Sequence, residues 1–410
     1  MIQILKTDFE TRGFHDIGGA KGVGLFNYFN DPRTQILMQA YKLPGEDGPC
    51  RRLWEPFRGP LPKELEEAID DPNVFIESFN SAFERYCLKM KLNKDIPPER
   101  FIDPQVGGRY LCLPPDLASM CEILDVPPYL AKDERGEDLI ELFCAPKYPR
   151  KKKGEPQPAP FWHDWNSHPA EWEAFGKYCM RDVDAEEEVL RREEMLGAMP
   201  MSEFEREVWC FDQRVNDRGM PVDMEFVNSA LWLAEKAKSD ALESQNALTG
   251  LKNANSTTQL LPWARERGYP YNTLNKAFVE AALNDPQYTI DELCRTVLRA
   301  RLSAGSTSYT KMNAIKRHIC PDGTVKNQFI YLGSSRCGRW SGNAIQLHNM
   351  PRPSKPKDVN GADFEDVDTI VEARAMIYRR DYDGIIAKYG NLLEVIKSTI
   401  RTCFVAPGGK

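Results

Sequence analysis

The chain has 410 residues, with 54 Lys and Arg against 61 Asp and Glu and a formal net charge of −7 at pH 7. This balance excludes a uniformly basic nucleic-acid coat, and 41% hydrophobic residues are enough to fill real cores, which excludes a disordered chain. At roughly 100–200 residues per domain the length predicts two or three domains.

No stretch approaches the roughly 18 uninterrupted apolar residues that a membrane helix needs. The segment Met1 to Thr11 carries an acidic pair where a signal peptide needs an apolar core, so folding is expected to begin at residue one. The 11 cysteines stand singly with no C-x-x-C pair. Reduced thiols in a cytoplasmic setting account for them.

In chain order, Ile2, Ile4 and Leu5 lead into Asp8 and Glu10. A glycine-rich connection (Gly18, Gly19, Gly22, Gly24) then precedes the apolar run Thr34 to Leu43, the pattern of an antiparallel hairpin with a long loop. Lys21 among those glycines invites a phosphate-loop reading, but the Gly-Lys-Ser/Thr ending is absent. Leu61 to Ile69 reads as helix and Val74 to Glu77 as a short buried strand that delivers Ser78 to Glu84 to the start of another helix. Strands feeding helices predict an α/β layer.

Ala145 to Pro160 is rich in Lys, Arg and Pro (Lys147, Arg150, Lys151, Lys152, Lys153) and is expected to be irregular. It is either a grip on a phosphate backbone or a solvated loop. His163 and His168 stand among Trp162, Trp165 and Trp172 and are read as packing residues. Beyond Glu203, helical periodicity runs through Val208–Asn216, Phe226–Leu242, Thr258–Arg267, Leu274–Leu283 and Ile290–Ser303. Thr324 to Leu332 alternates as a strand, and Ile370–Tyr378 and Tyr382–Ile400 read as closing helices.

Three motifs carry chemistry. Asp8-Phe-Glu10 puts two carboxylates at i and i+2 of a strand, on one face of its sheet. Tyr178 and Asp182 sit at i and i+4 of a helix, on one face. Asn80-Ser-Ala-Phe83-Glu84 adds a carboxylate at a helix entry. Carboxylate oxygens suit Mg²⁺, and two such ions serve in-line phosphoryl displacement.

In this order the motifs resemble the proofreading 3′→5′ exonuclease domain of family A DNA polymerases, within the DEDDy group. The resemblance covers about residues 1–195, with Glu84 where the second motif usually ends in Asp. It implies an RNase H-like domain with a mixed sheet and flanking helices. It further implies two Mg²⁺ or Mn²⁺ ions held by Asp8, Glu10, Glu84 and Asp182, with Tyr178 orienting the attacking water. Asn80 and Phe83 would contact a single-stranded 3′ end, and Phe9 and Phe83 are candidate wedges for its base, with core packing as the alternative.

Asp212 to Asp223 looks like the first long helix of the polymerase region, and Asn255 to Leu261 resembles a thumb segment. Cys337 to Arg352 is similar to the palm segment that follows the primer–template minor groove. That likeness implies DNA contacts from Arg336, Arg339, Gln346, His348 and Asn349. His348 stands where the family commonly has Gln. The implied division is an α/β exonuclease domain at 1–195, a mainly α thumb region at 196–318 and a partial α+β palm at 319–410.

Ile396 to Lys410 matches the lead-in to the palm strand that bears the first catalytic aspartate of the family, and the fingers motifs are absent. The expectation is an exonuclease-bearing N-terminal subunit or fragment of a phage-type polymerase, with a second polypeptide supplying palm and fingers. The alternatives are a non-catalytic DNA-binding assembly subunit and a stand-alone nuclease.

Overall fold

The structure is a computed structural model that describes residues 2–19, 21–130, 136–150, 156, 158–304, 307–334, 336–353 and 359–407. Lys151, Lys152 and Lys153 of the basic cluster lie outside the described residues. The chain forms two compact units, Met1–Gly219 with Arg317–Leu347, and Met220–Lys316 with His348–Lys410.

The first unit is built on a five-stranded mixed sheet: β1 (Gln3–Arg12), β2 (Gln35–Lys42), β3 (Arg52–Trp54), β4 (Val74–Glu77) and β5 (Phe101–Ile102), in the order β3-β2-β1-β4-β5. The β1–β2 and β2–β3 pairs are antiparallel, and β1–β4 and β4–β5 are parallel. The connection between β1 and β2 contains the glycine-rich loop and a short helix, α1 (Leu25–Asn30). Gly24, at φ 84°, sets the chain into that helix.

Strict alternation along β1 buries Leu5, Thr7, Phe9 and Thr11 and leaves Lys6, Asp8, Glu10 and Arg12 half-buried. Leu5 and Phe9 pack with Leu65 and Ile69 of α2 (Lys63–Asp70) and with Tyr86 and Leu88 of α3 (Ala82–Lys91). Phe9 is 3% exposed and points away from Asp8 and Glu10. It is a core residue and not a wedge, because the period of two that joins Asp8 to Glu10 sends Phe9 to the opposite face.

Past β5 come α4 (Pro104–Tyr110), α5 (Leu117–Ile123) and α6 (Gly136–Cys144), then the long α7 (Pro169–Met195). Trp172, Phe175, Cys179 and Val183 of α7 join Leu139 and Phe143 of α6 against Leu37, Met38 and Ala40 of β2. Each such aromatic or aliphatic side chain contributes roughly 1.5–3 kcal/mol on burial, so the rotation of α7 about its axis is fixed. Helix α8 (Glu203–Arg218) also belongs to this unit.

The second unit is helical: α9 (Met224–Thr249), α10 (Thr257–Arg265), α11 (Lys276–Asn284) and α12 (Glu292–Ala304). Leu260, Trp263, Val279, Val297 and Leu298 form the core of α10 to α12. These match the helical periodicities of the sequence. Helix α13 (Thr307–His318) follows.

Two sequence expectations need correction. Thr324 to Leu332 is not one strand: Asn327, at φ 54°, breaks it into Thr324–Val325 and Phe329–Ser334. The latter pairs with Arg339–Gly342 as an antiparallel hairpin. Tyr382 to Ile400 is not one helix. After α14 (Val367–Tyr378), α15 (Tyr382–Tyr389) ends at Gly390 in the left-handed conformation, and Asn391 caps α16 (Leu392–Thr399). Among the described residues no helix is long and apolar enough to cross a membrane.

Candidate active site

The lone well-defined acidic convergence among the described residues joins β1 to α7. One ligand oxygen each from Asp8, Glu10 and Asp182 lies within 4.8 Å of the others. In the β1–β2 ladder Glu10 opposes Met38 and Thr11 opposes Ile36, so the extra residue, Leu37, bulges on β2 and β1 keeps its alternation. Asp182 is 5% exposed and lies on the same stripe of α7 as Phe175 and Cys179, so the packing that seats the helix also aims the carboxylate. Three carboxylates so close repel one another, and an all-oxygen donor set suits a hard divalent cation.

Tyr178 stands one turn before Asp182 and bonds its carboxylate through the phenol. Burial first, and then Asp182, push that phenol far above its ordinary range, so it remains a donor. Its ring occupies a space opened by Gly136, where an added Cβ would clash with the Tyr178 ring. The neighbouring Cys179 Sγ is 3.5 Å from Asp8 Oδ2, and burial and Asp8 keep the thiol protonated.

Glu84, 2% exposed, enters from the start of α3. Burial and then Asp8 raise its pKa well above the carboxylate range. Its Oε2 is buried with no hydrogen-bond partner among the described residues, which fits a carboxylate awaiting a cation. Glu84 is not one of the three carboxylates that converge within 4.8 Å.

Sequence reasoning missed Glu186. It lies at i+4 from Asp182, 4% exposed, and its pKa is raised well above normal by burial, then by Asp8, Glu84 and Asp182. The helical spacing that joins Tyr178 to Asp182 was the signal that could have found it. Asp103, also missed, accepts hydrogen bonds from the Asn80 and Ser81 backbone N–H groups at 2.9 Å each.

A cleft of about 670 Å³ opens beside Glu10, with Phe14, His15, Phe83 and Tyr148 on its walls. Phe83 therefore reaches both the core and the cleft, while Asn80 is exposed at φ 59°. Lys147 pairs by backbone with Phe161. The His163 and His168 rings pack 4.2 Å apart, edge to face.

Arg336 and Arg339 are exposed at the tip of the 329–342 hairpin. Trp340 Nε1 donates to Asp212 Oδ1 of α8 at 2.7 Å, so Trp340 anchors the hairpin to its own unit. Gln346, exposed at φ 54°, belongs to that unit as well. His348 and Asn349 are exposed residues of the second unit.

The chain is 30% identical over 408 residues to a DNA polymerase of Bacillus phage SP02, a match that takes in 100% of this chain and 58% of that protein. It therefore spans a little over half the length of that curated relative. Among solved structures, the POL domain of Pol1 from M. smegmatis in complex with DNA primer-template and dNTP aligns with 85% of this chain and 52% of that one, at 14% identity and a TM-score of 0.44. No protein-family model matches the chain.

Proposed function

We propose that the first unit is an RNase H-like 3′→5′ exonuclease, and that the chain is the exonuclease-bearing portion of a phage-type DNA polymerase. The convergence of Asp8, Glu10 and Asp182 from β1 and α7 carries this reading. The whole-chain similarity to the phage DNA polymerase supports the wider one.

Asp8, Glu10 and Asp182 would hold one divalent ion, with Glu84 supporting a second. Two Mg²⁺ or Mn²⁺ ions, when bound, stabilise the attacking and departing oxygens of a phosphodiester displacement. The chain's own groups do the rest. The Tyr178 phenol stays protonated and donates to Asp182, so its oxygen accepts from the attacking water and orients it. Cys179 fixes the Asp8 carboxylate through its S–H. The cleft beside Glu10 takes an unpaired terminal nucleoside, and Phe83 offers its base a stacking wall.

In the wider reading, Arg336, Arg339, Gln346, His348 and Asn349 contact primer–template DNA. The test is incubation of the chain with single-stranded DNA and Mg²⁺ beside Asp8→Ala. Stepwise release of nucleoside 5′-monophosphates by the wild-type chain alone is expected, and equal release by both proteins would place the activity elsewhere.

A further inference from the structure

The half-buried face of β1 runs Asp8, Glu10, Arg12, so a guanidinium follows the two carboxylates after one more strand repeat of about 7 Å. The Arg12 guanidinium lies over the Trp162 ring, 5.4 Å from its centroid. Trp162 meets Phe14 edge to face, with centroids 4.5 Å apart and an interplanar angle of 82°. Arg33 lies over Phe14 at 4.2 Å. Three separate chain segments thus build one row, Arg12, Trp162, Phe14, Arg33.

The row leads away from the acidic cluster. Glu10 and Phe14 line the same cleft, and His15 is shared between that cleft and an adjoining pocket of about 490 Å³ lined by Arg33 and Arg317. Both guanidinium groups in the row are braced. Arg12 Nε donates to Gln35 Oε1 at 2.9 Å. Arg33 forks onto Asp31, with Nε to Oδ1 at 2.9 Å and Nη2 to Oδ2 at 2.6 Å. The Arg33 side chain is still 55% exposed, so the row ends in an open guanidinium plane, and Trp162 Nε1 is buried without an acceptor among the described residues. Alternating aromatic and guanidinium planes let successive bases stack without sequence preference, and the two arginines supply the positive charge that the cleft itself, with Glu10, Asp16 and Glu141 against Lys21, lacks.

We propose that Arg12, Trp162, Phe14 and Arg33 form a track for the single-stranded nucleic acid that leads into the cleft, with bases stacking on its ring and guanidinium planes and backbone phosphates meeting the two arginines. The track rests on the exonuclease reading for the direction in which the strand runs. It gives that site a preference for 3′ ends with several unpaired nucleotides.

The test is fluorescence anisotropy of fluorescein-labelled octathymidylate and dithymidylate with the full chain in Ca²⁺. Trp162→Ala should weaken octamer binding about tenfold, the loss of one stacked base, and leave the dimer within about twofold. Trp162→Phe should restore most of the loss. The double variant Arg12→Gln, Arg33→Gln should lower the salt slope of octamer binding by about 1.4, at about 0.7 per phosphate contact on a single strand; it carries the test if Trp162→Ala does not fold. Unchanged octamer affinity and salt slope in folded variants, or an equal loss for dimer and octamer, would overturn the track. If the wild-type chain released no nucleotide from the octamer in Mg²⁺ while the variants still lost octamer binding, the exonuclease reading would fall and the track would stand.

Discussion

Asp103 Oδ1 accepts the Asn80 N–H at 2.9 Å, so the residue that opens the second acidic motif is held by a carboxylate from the β5–α4 junction. Asp103 Oδ2 takes both the N–H and the Oγ–H of Ser81, each at 2.9 Å, and from α7 the Glu186 carboxyl takes the Phe79 N–H. Asn80 adopts a left-handed φ of 59°, a conformation that asparagine enters more readily than most other non-glycine residues. Two carboxylates from different elements therefore set the turn from which α3 presents Glu84.

Asp103→Ala would strand the Asn80 and Ser81 N–H groups at a site 5% exposed. At about 1–3 kcal/mol for each unsatisfied buried donor, a loss of about 3 kcal/mol in urea unfolding is expected. The same variant should bind Mn²⁺ more weakly, because Glu84 loses its fixed position. Unchanged stability would show that the turn holds itself.

Mutual repulsion among Asp8, Glu10 and Asp182 costs stability in metal-free protein. Asp182→Asn should therefore raise the metal-free Tm, in line with about 1–2 kcal/mol of relieved repulsion. Millimolar Mg²⁺ should raise the wild-type Tm through preferential binding to the folded state and leave the variant nearly unmoved. Thermal scans with EDTA and with Mg²⁺ measure both, and an equal metal response in the two proteins would deny Asp182 a place in the site.

Two buried carboxyls away from the three-carboxylate centre predict the direction of pH dependence. Burial pushes Glu77, 1% exposed, up to about 7, against the opposing pull of Lys6. Burial pushes Glu193, 0% exposed, up to about 9, and Asp103 adds to it. Both folded values lie above the unfolded carboxyl value of about 4.3, so the folded state retains protons that the unfolded chain has released. Their contribution is complete below about pH 4 and is lost as pH rises through 7 and then 9. Glu193→Gln should be near neutral at pH 5 and stabilising by more than about 2 kcal/mol at pH 9. Urea titrations at the two pH values decide it, and a pH-independent effect would contradict the assignment.

The acidic centre was legible in the sequence because each half follows from a local period: two residues per repeat for Asp8 and Glu10, four for Tyr178 and Asp182. Their meeting was not, since it depends on the face of the sheet that α7 covers, which Phe175, Cys179 and Val183 decide by packing. The long helices of the second unit were legible for the same periodic reason. The breaks at Asn327 and Gly390 were missed because an apolar period continues across each, while a single left-handed residue ends the element. Phe9 and Phe83 looked alike as aromatic neighbours of acidic residues, and only the strand period separates the buried one from the one that reaches the cleft. Trp162 and Arg12 stand far apart in the chain, and no local pattern links them.

Metal-dependent hydrolysis from the 3′ end at Asp8, Glu10 and Asp182 is the proposed activity. The most direct test follows a single-stranded oligonucleotide labelled at either end, with Mg²⁺, Mn²⁺ or EDTA, using the wild-type chain and Asp182→Asn. Early loss of the 3′ label as a nucleoside 5′-monophosphate and a descending ladder of 5′-labelled products are expected. No reaction should occur in EDTA, and the variant should lose at least about a hundredfold in rate. An intact substrate with the wild-type chain in both metals, or wild-type rates from Asp182→Asn, would contradict the proposed activity.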